Sequence, residues 1–174
     1  DGGDQVSAIV SGNDVYNNAW AGNRYLNIFV CGEIGGAAGY TTNPGTWNAT
    51  SMTNGIWILH NYVGSIGTSN VGTSRTLTHE VGHWLNLSHP WGSTNNPNLP
   101  SNCNTDDDVQ DTPECIGVTS CNLNSNSCNG DNAYWGFDIR DNVENYMDYS
   151  YCSKMFTAGQ VARMRAALQV SSTG

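Results

Sequence analysis

Three histidines and a glutamate crowd into eleven residues, HEVGHWLNLSH (79–89). On a helix, residues four apart stand one above the other on the same face, so His79 and His83 can aim two imidazoles at one point. Zinc takes such nitrogens at about 2.0–2.1 Å, usually tetrahedrally, and a catalytic ion keeps one position for water. Glu80, beside the first histidine, is placed to reach that water rather than the ion, which is why HExxH on a helix marks zinc hydrolases. His89 lies six residues beyond His83, too far round to share the face of a continuing helix. The chain must leave the helix and turn sharply, through a residue that tolerates positive φ at a cost of about 1–2 kcal/mol for most side chains. Asn86 stands midway, and asparagine follows glycine as a left-handed helix terminator. The spacing therefore predicts that His79, His83 and His89 share one ion and that Asn86 ends the helix between them.

The surrounding pattern supplies elements to hold these residues. RYLNIFVC (24–31) alternates and is rich in strand formers, and GIWILHNYV (55–63) reads as a second, well-buried strand. Between them the glycines of EIGGAAGY predict a break and TTNPGTWNATS a loop. Leu77, Val81, Trp84 and Leu85 recur at helical spacing, predicting a helix from about Ser74 to Leu85. From Trp91 to about Asp141 periodicity fades into Asn, Ser, Asp and Cys, a stretch too long for an ordinary loop, so cross-links or ions must order it. TAGQVARMRAALQ (157–169) is a helix opening on Thr157 and Gln160 as a capping box. The first twenty residues are weakly patterned, and His60, just after the buried strand, reads as a structural or cleft residue rather than a ligand.

At 174 residues the chain is one domain with room for an ordinary core. Its formal net charge of −9, from 6 Lys+Arg against 15 Asp+Glu, argues against nucleic acid and anionic membranes as partners. Six cysteines, five of them between Cys103 and Cys152 and none in a CxxC pair, read as disulfides made in an oxidising compartment. No apolar run approaches the roughly 20 residues needed to span a bilayer, and the opening DGGDQ carries no signal-peptide pattern. NTDDDVQDTP (104–113) gathers four carboxylates, oxygen ligands of the kind calcium takes, without the spacing of an EF-hand.

HExxHxxNxxH followed by ENYMDYS (144–150) resembles the metzincin zinc proteases, with Met147 in the position of their Met-turn. SRTLTHEVGHWLNLSHPWG (74–92), DDVQDTP (107–113), NYMDYS (145–150) and MFTAGQVARM (155–164) together resemble the pappalysin family, over roughly residues 20–165. The resemblance implies an α+β catalytic domain spanning 1–174. Its upper lobe, about 1–89, would hold a twisted mixed sheet and the active-site helix. Its lower lobe, about 90–174, would be irregular, ordered by disulfides and calcium, and closed by a C-terminal helix. It implies a secreted, monomeric zinc endopeptidase acting on proteins or peptides, with Glu80 as general base, Tyr149 as donor to the tetrahedral intermediate and Met147 as an apolar floor. It further implies calcium at Asp111 and Thr112, with Asp107 as a further ligand, and disulfides Cys103–Cys128 and Cys121–Cys152. Cys31 and Cys115 would then be left for a third bridge.

Two departures from the family pattern bear on function. Relatives carry a strand and a long helix before the segment matching residues 20–28, where this chain has about twenty weakly patterned residues. Relatives that favour Arg or Lys after the scissile bond carry acids between the Met-turn tyrosine and the next cysteine. YSYC (149–152) has none, which points to an apolar or aromatic-tolerant subsite instead. Two other readings compete with the protease. A catalytically silent extracellular binding domain would have no need of Glu80. A zinc hydrolase of non-peptide amides would have no need of the Met-turn and acidic block.

Overall fold

The computed structural model describes residues 8, 16–17, 19–129 and 132–170, so the expectation for the first twenty residues falls mostly outside it. Strands β1 (Asn27–Cys31), β2 (Gly39–Thr41) and β3 (Gly55–Leu59) form a sheet in the order β1-β3-β2, with β1 parallel and β2 antiparallel to β3. β3 is central because its apolar run can be buried throughout: Ile56 and Ile58 are fully enclosed, and Trp57 stacks on Phe29 at 4.1 Å. It stops at Leu59, and His60–Tyr62 form a 3-10 turn where the sequence predicts continued strand. β2 lies where glycines predict only a break. Gly35 and Gly36 do make that break, at φ 62° and 85°, and the chain then recovers an extended path to pair with β3.

Helix α1 (Thr76–Trp84) follows a 3-10 turn, Thr73–Arg75, and buries His79, Glu80 and Gly82. Its last residue, Trp84, stacks on Trp47 at 4.2 Å, which anchors the C-terminal end of the helix. The chain folds as two compact units. The first comprises residues up to Leu85 with those from Ala167 onward, and the second comprises Asn86–Ala166.

The second unit holds helix α2 (Asn132–Trp135), a 3-10 turn at Pro100–Asn104 and most of helix α3 (Ala158–Val170). Beside a small apolar core that includes Trp91, Val118, Val143 and Met147, its order comes from cross-links and buried polar hubs. Cys103–Cys128 and Cys121–Cys152 are bonded, with Cα atoms 5.5 and 5.7 Å apart. Asp141 accepts from the Ser127 amide at 3.0 Å and from the Ser125 and Ser127 hydroxyls at 2.5 and 2.9 Å. Buried Asn102 donates to the carbonyls of Asn96 and Ile116, both at 2.9 Å. The expected third bridge is absent: Cys31 and Cys115 are free thiols, 7% and 1% exposed, each enclosed within a different unit. An even cysteine count suggested pairing, but burial as a small hydrophobe is an equally ordinary fate for a thiol. The fold is α+β, a mixed sheet plus helices. No helix among the described residues is long and apolar enough to cross a membrane.

Candidate metal and catalytic site

Along the continuous segment 79–89, the ligand nitrogens of His79, His83 and His89 lie within 4.8 Å of one another. His79 and His83 reach this point from one face of α1, their rings 4.6 Å apart. The helix closes with the Leu85 amide donating to the Val81 carbonyl at 2.9 Å. Asn86 follows at φ 74°, the left-handed conformation its position requires. A tetrahedral ion with Zn–N near 2.1 Å separates its nitrogens by about 3.4 Å, so these three donors are of the type and near the spacing that one ion would take.

His89 is held from behind. Its Nδ1 lies 3.0 Å from the Thr94 carbonyl. A carbonyl can only accept, so Nδ1 carries the proton and Nε2 keeps its lone pair for a metal. The fully buried indole of Trp91 stacks on the imidazole at 4.5 Å and 3°, and its Nε1 donates to the same Thr94 oxygen at 2.8 Å. Behind the indole lies Gly117, at φ 80°, where a Cβ would come within 2.5 Å of the Trp91 ring.

Glu80 is 6% exposed, and burial pushes its carboxyl up from 4.5 to about 7. It faces β2 at Gly39, where a Cβ would stand 3.0 Å from the Glu80 Cγ and 3.1 Å from Oε1. Glycine there is what lets the strand and the carboxylate approach so closely. Within the second unit, the Tyr149 ring lies edge-on to His89 at 4.9 Å and to Trp91 at 5.0 Å. Its amide donates to Asp148 Oδ1 at 2.6 Å, and that oxygen also accepts from Val118 at 3.1 Å. Met147 is fully buried, and its amide is fixed by Asn145 Oδ1 at 2.9 Å. Asn145 in turn donates to Gln160 Oε1 at 2.9 Å, tying this turn to the start of α3.

The acidic block does more than solvate a loop. Asp111 uses both carboxylate oxygens on α3, accepting from Thr157 Oγ1 at 2.7 Å and from the Gly159 amide at 2.9 Å. Asp107 Oδ1 accepts from Val109, whereas Asp107 Oδ2 and Thr112 Oγ1 are enclosed, with the Thr112 hydroxyl standing against the Asp107 carboxyl. Burial pushes the Asp107 carboxyl up to about 8. Those two enclosed oxygens are of the kind a hard cation takes. Asp111 could join them only by sharing oxygens already committed to the helix.

Sequence reasoning missed Thr94, Trp91 and Gly117 as supports of His89, and Asp141 and Asn102 as organisers. The signal was faint because the Thr94 carbonyl is a backbone group, Gly117 acts by leaving room, and Asp141 and Asn102 bind partners up to 16 residues away.

A family model described as Peptidase_M43, pregnancy-associated plasma protein-A, matches residues 10–169. An extracellular metalloprotease of Verticillium alfalfae is 34% identical over 154 residues, covering 84% of this chain and 50% of that protein. One of Sordaria macrospora is 36% identical over 149 residues, covering 80% and 46%. Among solved structures, mature mirolysin of Tannerella forsythia in complex with a cleaved peptide superposes with a TM-score of 0.68 at 34% identity, over 84% of this chain and 53% of that one. Promirolysin of the same organism gives a TM-score of 0.70 over 89% and 49%. The chain thus spans about half the length of these relatives.

Proposed function

We propose that this chain, which belongs to the Peptidase_M43 (pappalysin) family, is a secreted zinc-dependent endopeptidase. The observation that carries the reading is the convergence of three histidine nitrogens within 4.8 Å, on a segment that also presents a buried glutamate. Held by His79, His83 and His89, zinc would supply a Lewis acid able to lower the pKa of a water and polarise a scissile carbonyl. Glu80, nearly desolvated beside the first histidine, takes the proton from the attacking water and hands it to the leaving amine. Tyr149, on the Met-turn and edge-on to His89, donates its phenol to the developing oxyanion. Met147 keeps the floor of the site apolar.

Proteins or peptides are the substrates this architecture suits, and mirolysin has been captured with a cleaved peptide. Tyr151, 61% exposed and standing where basic-specific relatives carry acids, favours apolar or aromatic side chains after the scissile bond. Secretion is supported by two disulfides and by relatives named extracellular. Asp107 and Thr112 would supply oxygens to a structural calcium ion.

Casein digestion tests the reading. The protein should cleave it, lose activity to a zinc chelator and regain it with added zinc. Fragment ends should be rich in apolar residues on the prime side. An inert protein, or one indifferent to chelation, would sink the proposal, and enrichment of Arg or Lys would overturn the subsite assignment alone.

A further inference from the structure

The turn that carries the chain from α1 to His89 is held by a residue distant in sequence. Arg163, half-buried on α3, donates from Nε to the Asn86 carbonyl at 2.7 Å. From Nη1 it donates to the carbonyls of Asp107 at 3.0 Å and Asp108 at 3.4 Å. Both Asn86 and Asp108 adopt left-handed backbone, φ 74° and 59°. Neither is glycine, although asparagine and aspartate take this conformation more readily than other side chains. One guanidinium therefore clasps two left-handed kinks, using a planar fork of donors that a lysine lacks.

The helix bearing Arg163 is itself pinned at its start. Asp111 accepts from Thr157 and Gly159, and Thr157 and Gln160 form a reciprocal capping box at 3.0 and 3.1 Å. A Cβ at Gly159 would collide with Asp111, so the helix and the acidic block meet at closest approach. Arg163 thus has a fixed base from which to reach Asn86, three residues before His89.

We propose that Arg163 is a positioning residue for the third histidine. It sets the left-handed turn at Asn86, and through that turn the place of His89, before any metal arrives. Pre-organisation of this kind lowers the ordering cost of metal binding, as partners of metal ligands generally do. The inference rests on the zinc reading above, and its test separates the two.

Zinc affinity is measured by competition with a chromogenic chelator for wild type, Arg163→Ala, Arg163→Lys and the double variant Arg163→Ala/Asn86→Gly. The alanine variant should bind zinc about 10–100-fold more weakly. Lysine, offering a point charge instead of a fork, should recover only part of this. Glycine at 86 takes positive φ without strain and should recover affinity in the alanine background, which a residue that merely anchors α3 would not permit. In the zinc-free protein, amide exchange at residues 86–89 should quicken in Arg163→Ala while exchange in β3 stays unchanged. Should Arg163→Ala misfold, Arg163→Lys carries the same two readouts. Wild-type zinc affinity and unchanged exchange in the arginine variants would overturn the proposal. If the wild type binds no zinc, the functional reading fails, and amide exchange alone then decides whether Arg163 holds the turn.

Discussion

Glu80 combines two properties that seldom coincide, being an ionisable group with almost no solvent contact and, in the absence of a metal, a carboxyl at about 7. Desolvation raises it, and a divalent cation beside it would draw it back down. Drawn down in that way, the carboxylate is ionised at neutral pH, as a base must be. Glu80→Gln has nearly the same shape and cannot accept the proton. Its zinc content should equal that of wild type while peptide cleavage falls by roughly 10²–10⁴-fold. Metal analysis beside a peptidase assay checks both halves, and cleavage at the normal rate would remove Glu80 from the base role. At this scale the sequence was most informative. Two histidines and a glutamate on one helix, and an asparagine at the bend, can be read from spacing alone. The supports could not, because the Thr94 carbonyl is a backbone group that residue type does not reveal and the Arg163 guanidinium reaches Asn86 from far along the chain.

Among the elements, α1 and α3 were legible because helical period and a capping box are local signals. The box forms as expected, with the Gln160 amide donating to Thr157 Oγ1 and the Thr157 amide to Gln160 Oε1. β2 was not legible, since a three-residue strand flanked by glycines carries no period of its own. The acidic block was read for its charge, yet Asp111 serves as an anchor for α3. The segment 91–118 follows the same logic, with Trp91 forming a platform for His89 that depends on the empty space at Gly117. Gly117→Ala adds a methyl against the indole at a residue with φ 80°. Overpacking and left-handed strain together should cost about 1–3 kcal/mol. Because the indole carries the imidazole, zinc affinity should fall with melting temperature. A variant with unchanged stability and zinc binding would show that Trp91 is not a support.

At the scale of the whole molecule, two units gain their order differently. The first buries an apolar strand, whereas the second relies on two disulfides and a set of enclosed carboxylates, among them Asp107, Asp141 and Asp148. This explains why the stretch from Trp91 to Asp141 reads as patternless: its buried apolar residues are widely spaced, and the disulfides and hydrogen bonds between them leave no hydrophobic period. It also gives stability a pH dependence. Asp148 accepts from Val118 and Tyr149, yet burial pushes its carboxyl up from 3.8 to about 7, with Asp141 nearby adding to the rise. The folded state therefore holds this proton more tightly than the unfolded chain. Its contribution is fully present below about pH 4 and is lost as pH rises toward about 7. Asp148→Asn removes that titration, so its melting temperature should fall less than that of wild type across this window. Parallel curves for the two proteins would contradict the assignment.

The central claim is that His79, His83 and His89 share one zinc ion. Elemental analysis of purified wild type and His89→Ala, each dialysed against zinc-free buffer of fixed chelator strength, tests it most directly. The account predicts one zinc per wild-type chain and loss of most or all of it from the variant. Full zinc retention without His89, or an active wild type with none, would contradict it.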